Sequence, residues 1–214
     1  MTEILLIRHG ETDWNVEKRL QGHVDIALNA EGKRQATALG RVLLDEPLDV
    51  IIASDLQRAV QTAQAIAASR GMAVHIEPAL RERCYGALEG LRYSDINERY
   101  PDAYAAWCAR DIDARYPMGR NNAETLREFS QRAIGVIKRL ATVHDNKKIA
   151  VVTHGGVLEC VYRAASGVGL LPRRDFPIFN ASINRIMWNA TAMRISRWGD
   201  VAHLTHIALD EVDK

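Results

Sequence analysis

Three short polar clusters in this 214-residue chain carry residue types that could do chemistry together. They are Arg8-His9-Gly10-Glu11-Thr12, then Ser54 with Arg58, then Thr153-His154-Gly155-Gly156. Arginine presents a planar fork of donors that matches the oxygens of a phosphoryl group two at a time. A neutral imidazole is a competent nucleophile toward phosphorus. A second imidazole, if protonated, adds another cation. The first turn of a helix supplies backbone donors and a dipole that favours an anion. Transfer of a phosphoryl group is mostly positioning and charge stabilisation, so this set suffices without a metal ion. The arrangement makes His9 the nucleophile, with Arg8, Arg58 and His154 as the clamp.

The elements that must position these residues are legible as alternating apolar runs and helical spacings. Ile4 to Ile7 is a continuous apolar run rich in branched residues, as a buried parallel strand is, and Asp49 to Ala53 and Ile149 to Thr153 read as further buried strands. Each polar cluster follows directly on one of them. The spacing predicts a helix from Ala30 to Glu46, capped by Asn29, buried through Ala36, Leu39 and Leu43, and ended by Pro47. Ser54 is positioned to cap a second helix that runs to about Ser69 and stops at Gly71. Ala73 to Glu77 reads as a more exposed strand. Glu124 to Val143 reads as a long helix with Leu126, Phe129, Ala133, Ile137 and Leu140 as its buried stripe. A further helix follows His154. Ile183 to Trp188 and Met193 to Trp198 form a hairpin around Asn189-Ala190. This alternation predicts a three-layer α/β/α sandwich with a largely parallel sheet. Residues 1–214 form one domain, and 92–121, broken by Pro101 and Pro117, is an insertion lying over the sheet like a lid. Ligands of such sheets bind beyond the carboxyl ends of the strands, where the three clusters converge.

Composition narrows the function classes. The 28 basic residues nearly cancel the 27 acidic ones, so nothing draws the chain as a whole to nucleic acid or an anionic membrane. Cys84, Cys108 and Cys160 are odd in number and widely spaced, which argues against a disulfide framework or a cysteine-rich zinc site. The opening residues lack a basic leader, and no run of about 18 apolar residues is present to span a bilayer. A cytoplasmic protein is expected, acting on a small phosphorylated substrate with no metal and no cofactor. A homodimer is left open.

The three clusters also carry a resemblance. Leu6-Ile7-Arg8-His9-Gly10-Glu11-Thr12, followed by Asn15 and Gln21-Gly22, is similar to the opening of the histidine phosphatase superfamily, in its phosphoglycerate mutase-like branch. Further stretches agree in order: Leu28-Asn29 with Gly32 and Gln35-Ala36; Ser54, Arg58-Ala59 and Thr62-Ala63; Leu80, Glu82, Gly86 and Glu89-Gly90; and Val152 to Gly156. The resemblance runs from residue 4 to about 160. It implies that His9 becomes phosphorylated and that Arg8, Arg58 and His154 hold the phosphoryl oxygens. It makes Glu82 the proton donor to the leaving group and then the base for the acceptor. It implies that Asn15, Gln21, Gly22 and the Gly155 backbone line the pocket, and that Tyr85 contacts substrate. The residues alone do not single out Glu82 from the other carboxylates; the bland alternative is a surface ion pair with Arg81 or Arg83.

Two enzymatic readings share this clamp. One is hydrolysis of small phosphomonoesters. The other is a phosphoglycerate mutase, an isomerase that needs a bisphosphoglycerate primer. A non-catalytic phosphate-binding module is a third reading, which intact His9, Glu82 and His154 oppose. The loop Glu82-Arg83-Cys84-Tyr85-Gly86 is similar to the mutase form. However, Cys108-Ala109 stands after Trp107 where the mutases carry an arginine pair, and Leu91-Arg92-Tyr93 stands where they carry a lysine. Arg83, Arg92 and Arg110 are the nearby substitutes, and hydrolysis is favoured. Arginines and acids balance within 92–120, so that face reads equally as solvated or as anion-binding. His23, His75, His144, His203 and His206 have no partner at metal-ligand spacing and read as ordinary histidines, and Cys84 as a buried, unreactive one.

Overall fold

The computed structural model describes residues 1–204, so His206 lies outside the described residues. Its strands are β1 (Thr2–Arg8), β2 (Val50–Ala53), β3 (Val74–Ile76), β4 (Lys148–Thr153), β5 (Ile183–Trp188) and β6 (Met193–Asp200). They form one sheet in the order β3-β2-β4-β1-β5-β6. The first four run parallel, β5 runs antiparallel to β1, and β6 antiparallel to β5. The helices are α1 (Asp13–Val16), α2 (Ala30–Val42), α3 (Gln57–Ala68), α4 (Tyr93–Arg99), α5 (Pro101–Cys108), α6 (Leu126–Val143) and α7 (Gly155–Ser166).

Alternation along β1 explains the layering. Successive side chains of a strand point to opposite faces. Ile4 and Leu6 join Phe129, Ile137, Val157 and Val161 of α6 and α7 in one core. Leu5 and Ile7 join Leu39 of α2 with Ala63 and Ile66 of α3 in another. All four β1 side chains are fully buried, each stabilising the fold by about 1.5–3 kcal/mol. The strand therefore has no polar face, and its sequence shows none.

Register sets the site. Arg8 pairs with Thr153 across β1 and β4, and Ala53 with Val152 across β2 and β4. The residues that follow, His9, Ser54 and His154, consequently emerge along one rim of the sheet. The start of α2 presses on the loop after β1 so closely that a Cβ on Gly32 would lie 2.0 Å from the Glu11 carbonyl oxygen. Asn29 caps α2 as expected, its Oδ1 accepting from Gly32 N at 2.8 Å.

Two local expectations need correction. Helix α2 stops at Val42, before Pro47, because the Arg70 guanidinium donates to the carbonyls of Leu43, Leu44 and Glu46 and so satisfies the end of the helix from outside. Ser54 does not cap α3. That helix has Leu56 at its N-cap, and Asp25 accepts from Gln57 N at 2.6 Å.

Residues 92–121 carry α4 and α5, which belong to a third, smaller core of Leu20, Leu88, Ile96, Ala103, Tyr116 and Ala123. This segment stands over the strand ends, since its Tyr93, Trp107 and Arg110 face the same cavity as Arg8 and His9. Among the described residues, no helix is long and apolar enough to cross a membrane.

Candidate active site

The cavity at the carboxyl ends of β1 and β4 has a volume of about 450 Å³. His9 lies at its floor, 3% exposed. The His9 backbone is fixed from both sides: its N–H donates to Thr153 O at 3.0 Å, and its carbonyl accepts from Ala181 N and Asn180 Nδ2. The ring Nδ1 lies 2.7 Å from Gly10 O, an acceptor only, so Nδ1 carries the proton. That leaves the lone pair on Nε2. Burial, then the charges of Arg58 and Arg8, hold the His9 pKa well below its ordinary value of 6.5. The ring is thus neutral at physiological pH, which is the form a nucleophile needs.

Arg58 is 1% exposed and is anchored through all three of its nitrogens, with N–H donors to spare. Its Nη2 donates to Gly22 O at 2.8 Å, Nη1 to Val24 O at 2.9 Å, and Nε to His154 Nδ1 at 3.2 Å. Burial lowers its pKa to about 10, which still leaves it charged at neutral pH. Arg8 Nη1 donates to Ile178 O at 3.1 Å. Both arginines line the cavity beside His9.

His154 stands behind this front row. It is wholly buried, its ring centroid is 5.2 Å from that of His9, and it is not among the cavity-lining residues. Because Nδ1 accepts from Arg58, the proton resides on Nε2, which donates to Ser54 Oγ at 2.8 Å. Burial and then the Arg58 charge push its pKa well below 6.5. His154 is therefore neutral here, contrary to the expected third cation. Its role in this geometry is to orient Arg58. A bound phosphoryl dianion would favour its protonation.

Glu82 is brought to the cavity by the loop before the 3₁₀ turn at Gly86–Leu88. Its Oε2 accepts from Gly156 N at 2.9 Å and its Oε1 from Arg83 N at 2.8 Å. Glycine at position 156 lets the carboxylate come this close, since a Cβ there would lie 2.2 Å from Glu82 Oε1 and push it aside. The Glu82 backbone is held too, its carbonyl accepting from His23 Nε2 at 2.9 Å and Arg132 Nη2 at 3.1 Å. His23 is thus more than an ordinary histidine. Among the described residues no surface ion pair claims Glu82, whereas Arg81 pairs with Asp55. Glu11, the other nearby carboxylate, accepts from Asn29 Nδ2 and does not line the cavity.

Asn15, Gln21, Gly22 and Tyr85 all line the cavity. Asn15 Oδ1 accepts from Thr12 N at 3.0 Å. Gln21 Oε1 is buried and takes no hydrogen bond among the described residues, an acceptor available to a ligand hydroxyl. Gly155 opens α7 but is not a lining residue; its neighbour Gly156 provides the working amide. Cys84 is buried, and burial raises its thiol pKa to about 11, so it is no nucleophile. Of the three arginines named as substitutes for the mutase cations, only Arg110 reaches the cavity. Arg83 is buried beside the rings of Tyr85 and Tyr116, and Arg92 does not line the cavity.

The sequence reading missed Lys18, Arg19 and Arg173, which line the cavity, and Asn180, which holds the His9 backbone. A positive φ of 54° at Lys18 and 52° at Arg110 aims both from unusual backbone, which no residue-type pattern announces. Among the described residues, no group of three or more His, Cys, Asp or Glu side chains is arranged to hold a metal ion.

The arrangement offers a neutral nucleophile, two fixed cations and a carboxylate in one cavity, which is the equipment for phosphoryl transfer through a phosphohistidine. Comparison with known proteins agrees. A phosphoglycerate mutase-like protein of Arabidopsis thaliana is 37% identical over 94% of this chain and 86% of its own length. A metal-independent phosphoserine phosphatase of the same plant is 36% identical over 97% of this chain and 85% of its own. The solved structure of Bacillus stearothermophilus YhfR superposes with a TM-score of 0.86 at 30% identity, covering 95% of this chain and 99% of that one. The family model of the histidine phosphatase superfamily, branch 1, matches residues 4–201, and the chain belongs to that superfamily.

Proposed function

We propose that this protein is a phosphomonoester hydrolase that works in two steps. His9 Nε2 attacks phosphorus while Glu82, protonated, gives its proton to the leaving oxygen. Glu82, now a carboxylate, then removes a proton from water, which attacks the phosphohistidine and releases inorganic phosphate. Arg8 and Arg58 hold the equatorial oxygens throughout and supply the charge that a metal ion supplies elsewhere. The observation that carries this reading is the His9 ring: its proton is committed to Gly10 O, its pKa is depressed, and its free nitrogen shares a cavity with Arg8, Arg58 and Glu82.

Hydrolysis is favoured over mutase chemistry by room. A mutase must keep water from its phosphohistidine while a three-carbon acid turns over. A cavity of about 450 Å³ leaves space beside such a substrate for several waters at roughly 30 Å³ each. One observation favours the mutase reading, namely that Lys18, Arg19, Arg110 and Arg173 add cations beyond the clamp. Two of these are already committed, Arg19 to Glu17 and Arg110 to Glu159. Residues 92–121 then serve as the lid of a single domain, and no bisphosphate primer is required.

The test is a phosphomonoester panel that includes 3-phosphoglycerate, run with and without bisphosphoglycerate primer and with a chelator. Phosphate release should exceed interconversion of 3- and 2-phosphoglycerate by a wide margin and survive chelation. Dominant primer-dependent isomerisation would make the protein a mutase, and activity restored only by a divalent ion would overturn the metal-free mechanism.

A further inference from the structure

The cavity is larger and more aromatic than a phosphoryl clamp requires. Trp14, Tyr85, Tyr93, Tyr104 and Trp107 all line it. A ring cluster serving only as core would be closed off from solvent. These rings are not: each is half-buried or exposed, and Tyr104 is 37% exposed. Three of them, Tyr85, Tyr93 and Trp107, are also held in place before any ligand arrives. Trp107 lies nearly parallel to Tyr85, at 15° with centroids 5.9 Å apart, and to the buried Tyr116, at 14° and 6.0 Å. Tyr93 meets the Trp107 edge at 76° and 5.8 Å. The buried Arg83 guanidinium lies 5.4 Å from the Tyr85 centroid and 4.8 Å from that of Tyr116, fixing both rings by cation–π attraction. A rigid aromatic wall binds a planar group with little ordering cost.

Resting on the hydrolase reading above, we propose that the leaving group this site prefers carries a planar ring, as a nucleoside monophosphate does. The phosphate would occupy the Arg8–His9–Arg58 floor and the ring would lie against the wall formed by Tyr104 and Trp107. A ringless hydroxy acid or amino acid phosphate reaches the floor but leaves the wall wet. Aromatic stacking beyond simple burial accounts for a preference of up to about tenfold, and burial of the ring adds to it.

Adenosine 5′-monophosphate and ribose 5-phosphate present the same primary phosphate and differ in the base, so their kcat/KM ratio isolates the ring. The expected ratio is about tenfold or more in favour of the nucleotide. It should narrow severalfold in Tyr104→Ala and in Trp107→Leu. A ratio is unaffected by any loss of folded protein, which keeps these variants informative. Binding of the same two compounds to His9→Ala protein, followed by calorimetry, reads the preference without turnover. A ratio near one, in turnover or in binding, would overturn the inference, as would a ratio that survives both ring substitutions. The two readings fail separately: phosphomonoester turnover without a ring preference removes only this one, while ring-dependent binding without phosphate release removes only the hydrolase reading.

Discussion

Arg8, His9, Arg58 and His154 are at most 3% exposed, and their hydrogen bonds run to backbone carbonyls, to Ser54 and to one another. The wall above them is made differently. Tyr93, Tyr104 and Trp107 come from short helices with a small core of their own, and their rings face the cavity half-exposed. The floor is bound to the most buried strands of the sheet, and the wall stands on α4 and α5 beyond it. This difference separates chemistry from selection. Disturbing the floor should slow every substrate alike, whereas disturbing the wall should change which substrate is preferred.

The largest loss should follow Arg58→Ala. It removes a cation from the transition state and leaves Gly22 O, Val24 O and His154 without their donor. We expect kcat/KM to fall by about 10³-fold for ringless and ring-bearing esters equally, the upper scale for removing one fixed donor. A loss confined to one substrate class would move Arg58 from the floor to the wall.

Glu82→Gln comes next. Only a poor leaving group needs a proton in the transition state, so alkyl phosphates should slow by about 10²-fold. A phenyl ester with strongly electron-withdrawing substituents should suffer much less in the phosphorylation step. Uniform losses there would remove Glu82 as the acid and turn attention to Glu11, which does not line the cavity in this structure.

Anchoring of the wall can be tested away from the rings. Arg110, just after α5, ion-pairs with Glu159 of α7, which also accepts from Arg163 Nε at 2.8 Å. Glu159→Gln leaves two largely buried guanidinium groups without their counter-charge, at a cost of about 3 kcal/mol. Calorimetry should show Tm lowered by roughly 10 °C, on the scale for a domain of this size. KM should rise severalfold more than kcat falls. A kcat loss without a KM change would tie this network to the floor.

The smallest effect concerns pH. His9 and His154 are held neutral in the folded state, below the 6.5 of an exposed imidazole. Between those depressed values and 6.5 the unfolded chain binds more protons, so stability rises with pH across that window and is lost as pH falls below 6.5. Tm should decline on acidification from pH 7, with a shallower slope in His154→Gln. An unchanged slope would mean that His154 is not buried neutral. The acid limb of kcat/KM should likewise carry no His9 titration at 6.5.

The floor was legible in the sequence because backbone periodicity carries it. Ile4–Ile7 and Ile149–Thr153 are apolar on both faces, so the residues after them had to emerge together at the sheet rim. Asn29 and Gly71 marked helix limits through local capping chemistry. What was not legible depends on contacts between distant positions. Ser54 has the residue type of a cap, yet its hydroxyl serves His154, 100 residues away. Arg70 ends α2 from 24 to 27 residues downstream. The protonation of His154 could not be read from its charge partners in sequence, because it depends on total burial beside two arginines. Lys18 and Arg19 share one irregular segment and Arg173 lies on another, neither with periodicity, and only the folded chain brings them to one cavity.

The central claim is that the phosphoryl group passes through His9. Rapid acid-free quenching during turnover of a ³²P-labelled phosphomonoester, followed by peptide mapping, tests it most directly. The account predicts a base-stable, acid-labile label on the peptide containing His9, formed and lost at rates that support kcat and absent from His9→Ala, which should not turn over. Label on another residue, or substantial phosphate release by His9→Ala protein, would contradict it.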